Sequence, residues 1–277
     1  EDLLRVHTPE YLERLREAVD RAEKEGSPLR LDADTLVSAH SWGAATGSTA
    51  ALLTAVRQVS EGTLSSAFVA TRPPGHHATP DRAMGFCLIN HVAVAARWLQ
   101  ATGRAERVLV VDWDVHHGNG TQDTFYADGT VFYLSLHQSP HYPGTGAADE
   151  TGVGDGAGWT LNVPLPAGMP VAEYRQHFSS AFEQGLETCR PDFILISAGC
   201  DVMAGDPLGG MLLEPEDLHA LTREVMAGAA RETRADDSRG VGIVAALEGG
   251  YDPARTGLGA AAVLRALAGI ELEWAQH

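Results

Sequence analysis

The chain has 277 residues, 44% of them hydrophobic, and a formal net charge of −17. This length and composition predict one large folded domain and exclude global disorder. The negative charge argues against a nucleic-acid partner, whose phosphates it would repel, and no apolar run approaches the roughly 20 residues that a membrane-spanning helix needs.

The three cysteines have no paired spacing, which favours a reducing compartment without structural disulfides and predicts a cytoplasmic location. We expect residues 1–277 to form a single domain. The chain begins at Glu1, without Met, and its first residues look like the middle of a domain. We therefore expect a segment upstream of Glu1 to be absent from this sequence.

Short apolar runs alternate along the chain with segments of helical character. In chain order, the pattern predicts helices over 9–23 and 41–60, a strand over 67–70, a helix over 90–102, strands over 108–112 and 131–136, a helix over 171–188, a strand over 193–197, a helix over 215–231, a strand over 242–247 and a helix over 256–268. Fully apolar strands that alternate with helices indicate a largely parallel sheet with helices on both faces. The sequence thus predicts a three-layer α/β fold.

Polar, titratable and glycine residues follow each predicted strand. In chain order these segments are TRPPGHHA, DWDVHHGNG, His137, AGCDVMAGDPLGG and EGGY. In open α/β sheets, ligands bind outside the carboxyl ends of the strands. We therefore predict a single site assembled from these five strand ends.

The predicted metal ligands are Asp114, His116 and Asp206. Carboxylate and imidazole donors suit Zn²⁺, and three protein ligands leave one coordination position open for water and substrate. Taken alone, Asp206 before Pro207 would be a turn residue, since Asp-Pro commonly starts turns. The presence of Asp114 and His116 favours the metal ligand instead.

The adjacent histidines His76 and His77 are candidates for proton transfer if the turn around them presents both side chains to the site. In an extended chain they would point apart, and the alternative is a pair of surface residues. Asp112 is a natural partner to fix the tautomer of one of them, and Asn119 could contact the other.

Tyr251 follows Gly249 and Gly250, which allow a tight turn that would bring its phenol over the site as an oxyanion donor. Together the groups predict a hydrolytic site. A metal would polarise a carbonyl and lower the pKa of water toward ~7, and a histidine would remove the water proton and later protonate the leaving amine.

Three further residues are predicted to form the walls of a substrate tunnel: Gly85, Phe86 and Tyr142. The alternative for these residues is ordinary packing in the core.

These residues closely resemble the zinc-dependent histone deacetylase family, which has an arginase-like α/β fold. The resemblance runs from about His7 to Tyr251. It is closest to the class II branch of the family and its bacterial relatives. The segments that carry it are RPPGHHA, GFCLIN, DWDVHHGNGTQ, FYLSLH, YPGTG, GCDVMAGDPLGG and EGGY. It implies a three-layer deacetylase-like fold, one catalytic Zn²⁺ and structural K⁺.

The resemblance also implies a role for each matching position. The zinc ligands correspond to Asp114, His116 and Asp206, the general acid–base to His77, its companion to His76 (oriented by Asp112), and the transition-state tyrosine to Tyr251. The substrate-binding positions are Gly85, Phe86, Tyr142, Leu213 and Gly249. One K⁺ site would use Asp112, Asp114, His116, Ser135 and Leu136, and a second would use Phe125, Asp128 and Val131.

The chain departs from the family's pattern in several places. Asn119 stands where class I enzymes carry Asp, so His77 would have a neutral partner, and Tyr142 stands where Phe is common. The family's segment before the HTPEY motif, which helps shape the pocket rim, is not in this chain. The acid that grips the substrate is either Asp32 or Asp34, and the sequence leaves both open.

The leading functional hypothesis is removal of acetyl or other acyl groups from lysine side chains of a protein or peptide. The nearest alternative is an acetylpolyamine amidohydrolase acting on a small acylated amine. Such an enzyme needs an acidic gatekeeper, and the matching position holds Leu213, although Glu214 and the acidic net charge keep this alternative open. A different class, a non-catalytic acyl-lysine binding module, predicts the loss of a ligand, a dyad histidine or Tyr251, and all are present. Neither nucleic acid nor a membrane is an expected partner.

Overall fold

The computed structural model describes residues 1–232 and 240–272, and its centre is a parallel β-sheet of six strands. The strands are β3 (Ser66–Val69), β4 (Val108–Asp112), β5 (Val131–Gln138), β6 (Thr160–Leu165), β7 (Phe193–Ala198) and β8 (Gly242–Leu247), and they lie in the order β3-β8-β7-β4-β5-β6. The predicted parallel sheet is confirmed. In register, Asp112 at the end of β4 pairs with Ser135 of β5 on one side and Ser197 of β7 on the other.

Helices cover both faces of this sheet, as predicted. They are α1 (Pro9–Glu25), α2 (Ser41–Ser60), α3 (His91–Ala101), α4 (Asn119–Phe125), α5 (Val171–Cys189), α6 (Pro215–Glu232) and α7 (Pro253–Leu267). Because side chains of a strand alternate between its two faces, β4 serves two cores. Leu109 and Val111 pack in the core beneath α5, α6 and α7, whereas Val108 and Val110 pack in the core beneath α2 and α3.

Three elements were missed in the sequence. β6 contains Pro164 and shows only partial burial, but it is an edge strand that pairs with β5 alone, and edge strands tolerate proline. The short helix α4 and an antiparallel ribbon of β1 (Leu29–Arg30) and β2 (Leu36–Val37) are the others. Helix α7 begins earlier than predicted, at Pro253, because Asp252 caps it by accepting the N–H groups of Ala254 and Arg255.

No helix in the described ranges combines the length and the apolar character that crossing a membrane requires.

A buried histidine near the start of the chain holds two loops together. Nδ1 of His7 lies 3.0 Å from the carbonyl oxygen of Thr79, and Nε2 accepts the N–H of Asn90 at 2.9 Å. The ring is 1% exposed, and burial lowers its pKa to about 4. Because Nε2 is an acceptor here, the folded state requires the neutral ring.

We expect acid to destabilise the fold through His7. Between pH 6.5 and about 4 the unfolded chain binds a proton at this ring and the folded chain does not, so the free energy of unfolding falls as the pH falls. At 1.36 kcal/mol per pKa unit, the free energy of unfolding is lower by about 3 kcal/mol at the acid end of this range. Melting temperatures of wild type, His7→Gln and His40→Gln (His40 is exposed) measured between neutral and acid pH test this. The melting temperature should depend less steeply on pH in His7→Gln than in wild type, and this dependence should be unchanged in His40→Gln. An unchanged dependence in both variants would contradict the role of His7.

Candidate active site

The carboxyl ends of the strands bring the functional side chains together. Asp112 is the last residue of β4, and the segment after it carries Asp114 and His116. Asp201 follows β7, and Glu248 directly follows β8. Because the strands are parallel and aligned in register, these segments meet at one edge of the sheet.

Three buried side chains form a group that could hold a metal ion: Asp114, His116 and Asp201. Their ligand atoms lie within 4.8 Å of one another. Nδ1 of His116 is 3.1 Å from Oδ1 of Asp114 and 3.2 Å from Oδ2 of Asp201. Both carboxylates are 0% exposed and His116 is 6% exposed, so two acids and one imidazole converge away from water.

The pKa values of this group reflect two acids and one imidazole that are buried together. Burial raises the pKa of Asp201 to about 7, and the neighbouring charge of Asp114 adds to it. Burial alone would lower the pKa of His116, but its contacts with Asp114 and Asp201 outweigh it and raise the pKa to about 10. Without a metal, a proton on His116 is thus the charge that offsets two buried carboxylates.

The donor set and its surroundings fit Zn²⁺. Two carboxylates and one imidazole leave a coordination position open, as in catalytic zinc sites. Oδ2 of Asp201 is buried and meets no donor in hydrogen-bonding geometry among the described residues, which leaves a lone pair free for an ion. Two glycines make room for the carboxylates, since a Cβ at Gly249 would overlap Oδ2 of Asp201 and one at Gly199 would overlap Oδ2 of Asp114.

The predicted third ligand, Asp206, lies five residues after Asp201 in the segment GCDVMAGD. Among the described residues the group that could hold a metal contains Asp201, and the carboxylate of Asp206 accepts backbone N–H groups from Tyr251 at 2.7 Å and Leu208 at 2.9 Å. Ligation by Asp206 stays a prediction, and Asp201 is a second aspartate that could serve as the third ligand.

The two adjacent histidines lie side by side, with ring centroids 4.1 Å apart. The turn therefore presents both to the site, as their proposed role requires. Nδ1 of His76 is 3.0 Å from Oδ2 of Asp112, which also accepts the hydroxyl of Tyr133 at 3.0 Å. Nδ1 of His77 is 2.9 Å from Oδ1 of Asn119. The pairing of Asp112 with one histidine and Asn119 with the other agrees with the prediction.

The environments of the two histidines differ in charge. Burial disfavours protonation of His76, but Asp114 and Asp112 outweigh it and raise its pKa well above the usual range. Burial, reinforced by the charge of His76, lowers the pKa of His77 well below its usual range. The surroundings of the pair thus favour a proton on His76 over one on His77.

The tautomer of His77 follows from the amide of Asn119. Nδ2 of Asn119 lies 3.4 Å from the carbonyl oxygen of His77 and 3.3 Å from Sδ of Met84, so Oδ1 is left to accept the Nδ1–H of His77. Nε2 of His77 then carries the free lone pair, and His77 lines the cavity. A lone pair at this atom can take a proton from a molecule bound there.

A cavity of about 500 Å³ opens onto His77 and His116. The predicted wall residues Gly85, Phe86 and Tyr142 line it, and so does Tyr251, the predicted oxyanion donor. Tyr142 meets the ring of His77 edge-on at 5.1 Å, and Phe86 meets Tyr251 edge-on at 5.8 Å. Gly85 has a φ of +55°, and a Cβ there would overlap the imidazole of His77, which explains glycine at this position.

Burial and the charge of Asp114 raise the pKa of Tyr251 above its usual range. Its phenol therefore stays protonated across physiological pH and is available as a hydrogen-bond donor to an oxygen in the cavity.

Two predicted substrate contacts lie elsewhere. Leu213 is 0% exposed, packs in the core beneath α5, α6 and α7, and is not among the residues that line this cavity, so its contact with substrate stays a prediction. Leu208, 41% exposed, occupies the cavity wall instead. Gly249 likewise lies beneath the metal-binding group, where its N–H donates to Oδ2 of Asp114 at 2.7 Å.

The cavity also includes residues that sequence reasoning missed or left open. Asp34 lines it, while Asp32 is not among its lining residues, which favours Asp34 as the acid at the rim. Gln138 and His141 line it as well. His141 stacks on His116 with ring centroids 4.8 Å apart and an interplanar angle of 17°. No motif drew attention to His141, because a single histidine between two prolines has no spacing signal.

The binding of K⁺ by the residues expected to hold it stays a prediction. Asp112 ends β4 and pairs with Ser135 within β5, where Oγ of Ser135 is 2.9 Å from Nδ1 of His137 and Leu136 is the next residue. In the second set, the carboxylate of Asp128 pairs with Arg97 at 2.5 Å and accepts the N–H of Thr130. That carboxylate is already engaged, so any K⁺ site there depends on backbone oxygens.

Comparison with known proteins places this geometry in a family. The family model described as the histone deacetylase domain matches residues 1–267. A probable deacetylase from Archaeoglobus fulgidus is 37% identical over 276 residues, covering 98% of this chain and 72% of that protein. Among solved structures, the HDA15 HD domain is similar with a TM-score of 0.88 and 36% identity, covering 97% of this chain and 74% of that one. An acetylpolyamine aminohydrolase from Burkholderia pseudomallei has a TM-score of 0.85 and 31% identity, covering 96% and 82%.

The similarity extends over nearly the whole chain. The predicted deacetylase-like fold is confirmed. The chain is a hydrolase that acts on acetylated amides, and it belongs to the histone deacetylase family.

Proposed function

We propose that the chain is a zinc-dependent deacylase that hydrolyses acyl amides on lysine side chains. The observation that carries the proposal is one cavity that His77, His116 and Tyr251 all line. A metal ligand, a neutral base and a protonated phenol thus face the same space. The cavity walls include Phe86, Tyr142 and Leu208, which suit the apolar stem of an acyl-lysine.

In this proposal Asp114, His116 and Asp201 would hold the Zn²⁺, which when bound polarises a carbonyl and makes water a nucleophile near neutral pH. His77, neutral and with Nε2 free, takes the proton of the attacking water. His77 later gives this proton to the leaving amine. His76, paired with Asp112, supplies the positive charge beside it.

The phenol of Tyr251 donates a hydrogen bond to the oxygen that becomes negative as water adds to the carbonyl. This donor is fixed by the fold before substrate arrives, which is the condition under which oxyanion stabilisation is large. Asp34 at the cavity rim provides an acceptor for N–H groups of a bound peptide. The alternative of a non-catalytic binding module is disfavoured, because no catalytic group of the site is missing.

Replacing Tyr251 with Phe should keep the fold and the metal but lower kcat by ~10²–10³-fold, because one oxyanion donor is lost. Tyr142→Phe is the matched control, since Tyr142 lines the same cavity but has no assigned role in the reaction. Steady-state kinetics on an acetyl-lysine peptide decide the point. An effect of Tyr251→Phe on KM alone would show that Tyr251 only binds substrate.

The substrate is a second part of the proposal, with acetylpolyamines as the alternative that one structural neighbour raises by its name. Leu208 is the wall residue whose chemistry bears on this choice. The distal ammonium of a polyamine is strongly hydrated, and an apolar Leu208 recovers none of the solvation that it loses on binding. We therefore expect acetyl-lysine peptides to exceed acetylspermidine in kcat/KM.

Leu208→Glu should shift this preference toward acetylspermidine, because a charge-assisted hydrogen bond of ~1.5–3 kcal/mol corresponds to roughly tenfold or more. Leu212→Glu is a matched control, since Leu212 is also exposed, at 45%, but does not line the cavity. A wild-type enzyme that prefers acetylspermidine would contradict the acyl-lysine proposal. Asp34→Asn would then test whether Asp34 holds the cation.

Three further properties belong to this proposal. We propose structural K⁺ at the ends of β4 and β5, supported by the buried oxygens of Asp112 and Ser135. We propose a cytoplasmic location, supported by the free thiols Cys87, Cys189 and Cys200. We also propose that residues 1–277 act as one domain.

A further inference from the structure

We propose that Glu248 is a positioning residue that holds the turn carrying His76 and His77; this inference rests on the proposed function. Glu248 directly follows β8, and one oxygen of its carboxylate accepts two successive backbone N–H groups of that turn. Oε2 accepts from Gly75 at 2.7 Å and from His76 at 3.1 Å, across 173 and 172 residues of sequence. Oε1 accepts the hydroxyl of Ser197 in β7 at 3.1 Å. We call residues 75–77 the histidine turn.

The contact between Glu248 and the histidine turn is buried. Glu248 is 6% exposed, and His76 is 2% exposed, so water cannot easily replace the carboxylate oxygen as an acceptor. Successive backbone N–H groups that converge on one point form a concave site for an anion, which a carboxylate oxygen fits. Loss of that oxygen would leave two buried N–H groups without a partner, which is costly.

The segment before the histidine turn has a different anchor. Oγ of Ser48, on α2, donates to the carbonyl oxygen of Arg72 at 2.8 Å and accepts the N–H of Arg72 at 3.0 Å. Ser48 thus fixes the chain three residues before the turn. Glu248 instead holds the peptide groups that lead directly into the rings of His76 and His77.

The position of the two rings depends on these peptide groups. The ring of His77 must reach Oδ1 of Asn119, 2.9 Å from its Nδ1, while the ring of His76 lies beside it with centroids 4.1 Å apart. A rotated peptide at His76 would move both rings relative to the cavity. A misplacement of about 1 Å at a reacting group can cost ~10²-fold in rate.

The oxygen of Glu248, and not its charge, is the property that the histidine turn requires. Burial raises the pKa of Glu248 to about 7, against the neighbouring charge of His76, which lowers it. The side chain therefore changes charge near neutral pH, but it offers an acceptor oxygen to Gly75 and His76 in either state. Two substitutions separate the two properties, because Gln keeps the length of the side chain and Asp keeps its charge.

The kinetic test compares Glu248→Gln with Glu248→Asp in the zinc-loaded enzyme, with an acetyl-lysine peptide as substrate. The oxygen of Gln can accept both N–H groups while its NH₂ donates to Ser197, so we expect this variant to keep most of the wild-type kcat. Asp is shorter by one methylene and withdraws the oxygen from the turn. We expect Glu248→Asp to lower kcat by roughly 10- to 100-fold, with a smaller change in KM, and both variants to retain one metal per chain.

A double-mutant cycle shows whether Glu248 acts through His77. Added to His77→Ala, Glu248→Asp should lower kcat little further, because the ring that it positions is already absent. Ser48→Ala is the matched control, since it removes the anchor before the turn; its kcat should stay at the wild-type value even where its melting temperature falls. If Glu248→Asp does not fold, Glu248→Met, which keeps the volume and removes both oxygens, takes its place.

Four outcomes of these measurements would overturn the inference: a larger loss of kcat in Glu248→Gln than in Glu248→Asp, a wild-type kcat in Glu248→Asp, additive losses in the cycle with His77→Ala, and loss of the metal from Glu248→Asp.

The Nδ1–H proton of His77 gives a readout that does not depend on turnover. In protein labelled with ¹⁵N-histidine, the resonance of this proton, which Oδ1 of Asn119 accepts, is assigned by its loss in His77→Ala. Glu248→Asp should shift or broaden the resonance, whereas Glu248→Gln and Ser48→Ala should leave it in place. An unchanged resonance in Glu248→Asp would reject the role of Glu248, whatever the activity. A wild-type protein without turnover, but with the expected shift in Glu248→Asp, would reject the proposed function and retain the positioning role.

Discussion

Replacing Asp201 with Asn is expected to remove most of the bound metal and to lower turnover by roughly 10³-fold or more, because a bound ion supplies several kcal/mol of transition-state stabilisation. Asp201 is one of three ligands, and its unpartnered Oδ2 faces the group. Asn keeps the side-chain volume and can still accept the Val115 N–H that Oδ1 accepts at 3.0 Å. The change therefore tests charge and ligation more than folding.

Asp206→Asn is the matched control, since it makes the same substitution in the same segment. It should retain the metal and lose far less activity. Metal content by elemental analysis and circular dichroism of both variants complete the comparison. Full metal occupancy in Asp201→Asn, or metal loss in Asp206→Asn, would reverse the assignment of the third ligand.

His77→Ala is expected to lower kcat/KM by ~10²–10⁴-fold, the range typical for loss of a general acid–base. The metal should stay bound, because His77 is not in the metal-binding group. His141→Ala is the matched control, as another histidine of the same cavity, and its effect should stay within roughly tenfold. A His77→Ala enzyme with near-normal rates would remove His77 from the reaction.

The pH dependence of the wild type follows from the direction of the His77 shift. Burial and His76 lower the pKa of His77, so the neutral base persists below the usual range of histidine. Activity should fall only when the pH drops through this lowered value and His77 becomes protonated. Since the titrations of His76, His77 and the metal site are coupled, the apparent pKa values of the pH–rate profile belong to the site as a whole. His77→Ala should abolish this acid limb.

The sheet could be predicted because its central strands are buried on both faces. Residues 108–112 and 193–197 are continuous apolar runs without alternation, which is typical of parallel strands between two helical layers. β6 lacked that signal, since an edge strand with Pro164 needs neither full burial nor every backbone donor.

The sequence predicts where the site lies and which residue types form it. It does not predict which side chains contact one another there. Asp112, Asp114, His116 and the two histidines lie where the strand ends placed them. The segment GCDVMAGDPLGG presented two aspartates and several apolar residues, and nothing in the sequence shows which side chain faces the ion. The structure separates them by contact, with Asp201 beside His116 and Asp206 on backbone amides.

Leu213 and Leu208 illustrate the same limit. Both follow Asp206 in an irregular segment without periodicity, so burial could not be inferred from spacing. Leu213 bridges back to Met203 and enters the core, whereas Leu208 is held at the cavity by Asp206 and His141.

The most direct test of a metal-dependent deacylase is turnover of an acetyl-lysine peptide before chelation, after chelation and after addition of Zn²⁺. Chelation should abolish release of acetate, and activity should return in proportion to bound zinc until one ion per chain is present. Hydrolysis that continues at the original rate in metal-free protein would contradict the account, as would fully zinc-loaded protein that releases no acetate from any acyl-lysine or acetylpolyamine substrate.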